Sequence, residues 1–232
     1  MLGTAINVGA ILAGSVIGVS IGSRLPERLR QTVLNGLGLL TLLVGLQMAL
    51  GTGNLMIILG AILLGGLLGE ILRIHDGLER FGAFLQSALS RSRNPLFGEG
   101  FVTASLVFCV GPMAILGSIQ DGMTGDYRLL AVKSVLDGFA AIAFSASLGW
   151  GVSLSALSIL LYQGGITLCA TTLSKILTDP MIVEMTAAGG LIIVGIGLKL
   201  LDLKDIRLAN FLPALALAPL IVFIVPIIKS CF

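Results

Sequence analysis

The sequence predicts an all-α, polytopic membrane protein of about eight transmembrane helices, on three observations. Hydrophobic residues make up 56% of the 232-residue chain and charged residues 11%, against about 45–50% and about 25% in soluble globular domains. Apolar runs close to the ~20 residues that cross a hydrocarbon core recur from end to end. Charge is confined to the connectors, so no stretch is left for a separate water-soluble domain.

The first run, 3–22, has no Lys or Arg ahead of it; the positive flank of a signal peptide is missing, and the run reads as a retained helix. The second and third runs lie at 32–50 and 54–71. Residues 73–99 then place Ile74, Leu78, Phe81, Leu85 and Leu89 at helical spacing among Arg73, Asp76, Glu79, Arg80 and Gln86. That pattern predicts an amphipathic connector lying along the cytoplasmic membrane surface. Further runs follow at 100–120, 129–149 and 153–173, and two C-terminal runs at 180–201 and 210–228. The intervening GTGN, DGMTGDYR and SKILTDP carry turn residues.

Orientation follows from the basic residues, because connectors rich in Lys and Arg stay cytoplasmic. Arg24, Arg28, Arg30, Arg73, Arg80, Arg91, Arg93, Lys204 and Arg207 fall on one side, against Arg128, Lys175 and Lys229 on the other. Both termini are therefore expected on the non-cytoplasmic side of a bacterial plasma (inner) membrane.

Sliding the chain on itself by 102 residues sets QTVLNG (31–36) on KSVLDG (133–138) and Val8-Gly9 on Val110-Gly111. This predicts repeat one at 1–72, the connector at 73–99, repeat two at 103–174 and two extra helices at 175–232. Three crossings per unit would make the repeat inverted, an arrangement typical of secondary transporters, whose solute site lies where the repeats meet.

Several residues stand out against this apolar background. Asp137 is about 12 Å into its run at 1.5 Å per residue, where a carboxylate costs about 2.5–3.5 kcal/mol on insertion scales. Lys133, one turn earlier, can neutralise it within the helix; alternatively the pair serves a solute. Gly138 removes side-chain cover beside the carboxylate, and the repeat supplies Asn35 and Gln31 as polar equivalents. Gly111 and Pro112 interrupt the fourth run, because proline lacks an N–H and clashes with the carbonyl four residues back; carbonyls near 107–109 would be freed for a cation. Gln163 lies about 14 Å deep before Gly164 and Gly165, and Asn7 sits in the first run. These two amides suit either solute contact or interhelical hydrogen bonding.

Other polar residues read as ordinary. Gln120, Asp121, Glu70 and Glu184 sit near helix ends, Gln47 and Lys199 lie close to water, and His75 is expected to be solvated in the connector. Cys109, Cys169 and Cys231 lack any metal-ligand or redox spacing and read as small apolar fillers. The stripes Gly14, Gly18, Gly22 and Gly65, Gly69 predict close helix packing, with a homodimer through these faces as a further option.

The segments GTAINVGAILAGSVIG, GDYRLLAVKSVLDGFAAIAFSASLGWGV and LYQGGITL resemble the bacterial inner-membrane family of domain-of-unknown-function-554 (YqgA/YdfK-type) proteins over essentially the whole chain. The resemblance implies a multi-pass membrane protein with a transport role; Asn7, Lys133, Asp137, Gly138 and Gln163 match positions in its motifs. The residues themselves point to a gradient-driven transporter or exchanger for a cation or small polar solute, since no phosphate-binding loop is present. A cation or a zwitterion suits one carboxylate, two amides and open carbonyls better than an anion. No cofactor or nucleic-acid partner is called for. A scaffold docking through 73–99 is the alternative, and an intramembrane enzyme lacks its H-E-x-x-H or G-x-S-x-G motif.

Overall fold

The computed structural model describes residues 1–24, 26–78, 80, 84 and 96–230, the last five by backbone alone. The helices are α1 (Leu2–Gly22), α2 (Glu27–Ala49), α3 (Leu55–Ile71), α4 (Phe97–Cys109), α5 (Pro112–Thr124), α6 (Arg128–Leu148), α7 (Ser155–Leu168), α8 (Ala170–Ile176), α9 (Asp179–Leu200) and α10 (Pro213–Ser230). Short 3₁₀ turns, Trp150–Leu154 and Leu208–Phe211, lead into α7 and α10. Most of the predicted amphipathic connector, and Cys231, lie outside the described residues.

Every predicted apolar run is helical, but not every helix has the length of a span. Six are long and apolar enough to cross a membrane, or seven if the bent pair α4 and α5 counts as one. The eighth, α3, is apolar but has only 17 residues. Leu39, Leu43 and Leu67 are each more than 60% exposed. Such bare leucines would be costly in water and are ordinary against lipid chains.

The chain forms two compact units that interleave along the sequence. One comprises residues 1–37 and 79–174; the other comprises 38–78 and 175–232. The two C-terminal helices are thus not appendages to a self-contained pair of repeats: they pack with α3 and the second half of α2.

In the first unit α1 lies alongside α6 in the same direction, with Gly3 on Leu130, Gly14 on Gly138 and Gly22 on Ala146. A Cβ at Gly14, Gly18 or Gly22 would collide with the carbonyl oxygen of Gly138, Ile142 or Ala146. The glycine stripe therefore permits backbone-to-backbone contact, as small residues do between membrane helices. Leu130 is fully buried between notches at Gly3 and Gly117. Phe108 of α4 meets Phe144 of α6 edge to face, with ring centroids 6.2 Å apart.

In the second unit α3 runs against α10, with Gly65 on Ala214 and Gly69 on Asn210. Ala61, Ala188, Ala214 and Ala218 form its closely packed centre. The second half of α2 runs antiparallel to α9, with Gly45 on Gly190 and Gly38 on Leu201. Both glycine stripes that suggested a homodimer are thus covered from within the chain.

Glu184 is a correction to the sequence reading. It is 3% exposed and accepts hydrogen bonds from the N–H groups of Gly53 (2.8 Å) and Asn54 (3.0 Å) and the Thr52 hydroxyl (2.7 Å). A carboxylate here satisfies the orphan donors and the positive dipole at the start of α3. Glu70 pairs with Arg207 at 3.0 Å, Lys199 pairs with Asp205 at 3.2 Å, and His75 is half-buried with its N–H donating to Asn210 Oδ1 at 2.8 Å.

Candidate solute site

Three helices of the first unit bring four of the singled-out side chains together. Lys133 and Asp137 face the same side of α6 at i and i+4, and the Lys133 ammonium donates to Asp137 Oδ2. Asn7 on α1 donates through Nδ2 to the same oxygen at 2.9 Å and to Gln163 Oε1 of α7 at 3.2 Å. The parallel register of α1 and α6, set by the glycine stripe, puts Asn7 at the level of the ion pair. Asp137 lies about 14 Å along α6 from Arg128 at 1.5 Å per residue, near mid-helix.

All four side chains are buried; Asn7 and Gln163 are wholly so. Yet the cluster is not saturated. Asn7 Oδ1 and Gln163 Nε2 have no hydrogen-bond partner among the described residues. The bonds from Asn7 and Lys133 to Asp137 both fall on Oδ2. Two neighbouring hydroxyls are paired, Ser134 to the Leu130 carbonyl at 2.6 Å and Thr167 to the Gln163 carbonyl at 2.8 Å, whereas that of Thr4, one turn from Asn7, has no partner among the described residues. Leaving a buried amide atom unpaired costs about 1–3 kcal/mol, so these vacancies call for a ligand or water.

The expected break at Gly111-Pro112 is present, with α4 and α5 meeting at 63°. Gly111 has φ +155°, a value side chains with a Cβ rarely adopt, and Pro112 opens α5 at its first position. Among the described residues, the carbonyls of Val107, Phe108 and Cys109 accept no backbone hydrogen bond across the break. The break lies between the contact of Phe108 with Phe144 and that of Gly117 with Leu130, and so at the level of Asp137 along α6.

Three candidates behave differently. Asn35 is exposed and accepts from Gln31 Nε2 at 3.3 Å, and it makes no hydrogen bond to the cluster among the described residues. Gly138 leaves room for a methyl group but little more, because an added Cβ would stand in ordinary contact with Ala10 of α1, at 3.5 Å. Gly164 does leave room: an added Cβ there would meet only the Met1 side chain, at 3.8 Å. Asp121, read as an end residue, is buried and accepts from the Gly3 N–H at 3.1 Å, with the Met1 amino group 2.9 Å away. It holds the N-terminal end of α1 to α5. Its sequence position next to a helix end gave no sign of this, because the end it caps belongs to another helix.

Long apolar helices with bare leucine faces around a sealed polar cluster define an integral membrane protein of several spans. The chain belongs to the family described as "Protein of unknown function (DUF554)", whose profile matches residues 2–223. It is similar to the uncharacterized protein YqgA of Escherichia coli (strain K12), with 34% identity over 222 residues and 94% of each chain covered. It is also similar to the uncharacterized membrane protein YdfK of Bacillus subtilis (strain 168), with 30% identity over 231 residues and 97% of each chain covered. No solved structure matches.

Proposed function

We propose that this protein is a secondary transporter or exchanger for a cation or small polar solute, driven by an ion gradient, with Asn7, Lys133, Asp137 and Gln163 as its central site. The observation that carries the reading is the unsaturated cluster itself, buried at mid-helix beside a discontinuous helix. A self-neutralising structural pair needs no vacant amide atoms, whereas a binding site does.

Helix directions support eight crossings. Parallel spans must be separated by an odd number of crossings. α3 and α9 run the same way, since Glu184 near the start of α9 caps the start of α3. At their far ends, Gly69 and Gly195 both lie on the Leu208–Phe211 turn. Between them α6 and α7 cross, so the broken pair α4 and α5 crosses too. The same parity between parallel α1 and α6 supports a crossing by α3, although it is short. The segment from Arg73 to Arg93 is too charged to add another crossing, and α8 has only seven residues. Together with the basic-residue bias, this supports both termini lying outside. The helices of the predicted repeat also correspond in order, α1 with α4 and α5, α2 with α6, and α3 with α7. Gln31 and Asn35 pair at the same i, i+4 spacing as Lys133 and Asp137.

In a background without native cysteines, a cysteine at Asp126 should label with an impermeant thiol reagent in intact cells, and one at Ser23 only with a permeant reagent. The reverse pattern would overturn the orientation. For transport, proteoliposomes holding the full chain should accumulate a radiolabelled monovalent cation or neutral amino acid when a proton or sodium gradient is imposed. They should release it when an ionophore collapses the gradient. Permeability equal to that of protein-free vesicles throughout would favour the scaffold reading instead.

A further inference from the structure

Resting on the transport reading of this site, we infer that its solute is a small zwitterion, carrying an ammonium and a carboxylate and no net charge. The argument starts from charge balance. Lys133 and Asp137 are both buried and neutralise each other. A lone cation or anion added to that pair would leave one buried charge uncompensated, which low-dielectric surroundings penalise heavily. A zwitterion avoids this: the internal pair opens and re-forms as two pairs, solute carboxylate to Lys133 and solute ammonium to Asp137, with no net charge at any stage.

The vacant atoms have the same dual character. Gln163 Nε2 can only donate, and so fits a carboxylate. Asn7 Oδ1 can only accept, and so fits an ammonium beside the Asp137 carboxylate. At the adjoining break the unpaired carbonyls at the end of α4 add acceptors, while the N-terminus of α5 favours negative charge. A monovalent cation would use the acceptors alone and meet the Lys133 ammonium and the Gln163 amide donors as repulsive groups.

The full chain in lipid nanodiscs tests this by thermal shift and equilibrium binding. The probes are the neutral amino acids as zwitterions, ethylammonium and sodium as cations, and propionate as anion. At least one neutral amino acid should raise the Tm, and none of the singly charged probes should. Gln163→Leu should weaken that amino acid's binding about tenfold or more, while the Tm without ligand falls only by the loss of the Oε1 hydrogen bond from Asn7, whose Nδ2 keeps its bond to Asp137. Stabilisation by ethylammonium, sodium or propionate alone would overturn the proposal, as would none by any neutral amino acid. Proteoliposome uptake separates this from the parent reading. Accumulation of sodium or ethylammonium without amino acid would discard the zwitterion and keep transport. Binding of a neutral amino acid without uptake under either gradient would keep the site and discard transport.

Discussion

Replacing Asp137 by leucine should destabilise the protein by roughly 3–5 kcal/mol, because it strands the buried Lys133 ammonium without a counter-charge. The double change Lys133→Met with Asp137→Leu should recover most of that loss, since no lone charge remains and both replacements fit an apolar interior. Transport should not recover with it. On the proposed mechanism each charged group exchanges its internal partner for one on the solute, and neither leucine nor methionine can do so. Asp137→Asn separates the effects further. The carboxamide oxygen can still accept from Lys133 and Asn7, so the fold should suffer less than with leucine, while the charge needed for the exchange is gone. Wild type, both single variants and the double variant should be compared in nanodiscs for Tm and in proteoliposomes for gradient-driven uptake. A double variant that transports like wild type would falsify the functional role and leave an ion pair that only neutralises itself.

Much of this site could be read from the residues one at a time, and little of its assembly could. Asp137, Lys133 and Gln163 are conspicuous because polar groups so deep in apolar runs must have partners. Pro112 is conspicuous because its chemistry breaks any helix. The convergence of Asn7 with Asp137 depends on how α1 and α6 are paired and in what register. The stripe of Gly14, Gly18 and Gly22 announces a close neighbour without naming it. Asn35 shows the converse limit. It repeats the local pattern of Asp137, yet the face of α2 that is covered carries Gly38 and Gly45, packed on α9, and Asn35 is exposed.

Asp121 and Glu184 were misread for one shared reason. Each is a carboxylate near the end of its own helix that serves the N-terminus of a different one: Asp121 that of α1, Glu184 that of α3. Spacing along the chain carries no information about such a partner. In a membrane the orphan N–H groups of a helix start cannot all rely on water, so the two acids act as caps brought in by tertiary packing. The interleaving of the compact units was hidden for a similar reason. A similarity between segments says which of them resemble each other, whereas packing joins α1 most closely to α6, which the sequence offset does not pair with it.

At that α1 to α6 contact a single methyl group should do harm that reaches the site. Gly18→Ala should destabilise the protein by about 1–3 kcal/mol, toward the upper end of the overpacking range. The added Cβ would overlap the Ile142 carbonyl oxygen and stand 2.8 Å from the Ser145 Cβ and 3.0 Å from the Ile142 carbonyl carbon. Backbone atoms in mid-helix cannot rotate away as a flexible side chain can, so the two helices must separate or slide. Either motion draws Asn7 from Asp137, since the 2.9 Å bond between them depends on that register; uptake should therefore fall together with Tm. Gly9→Ala on the same helix is the control, because its Cβ would meet nothing within 4 Å and the position is exposed. It should be neutral or stabilise by up to about 1 kcal/mol through helix propensity. Equal losses at Gly9 and Gly18 would point to a general intolerance of α1 to alanine and remove the close contact as the cause. A full loss at Gly18 with none at Gly9 would fix the α1 to α6 seam as what holds the site in register.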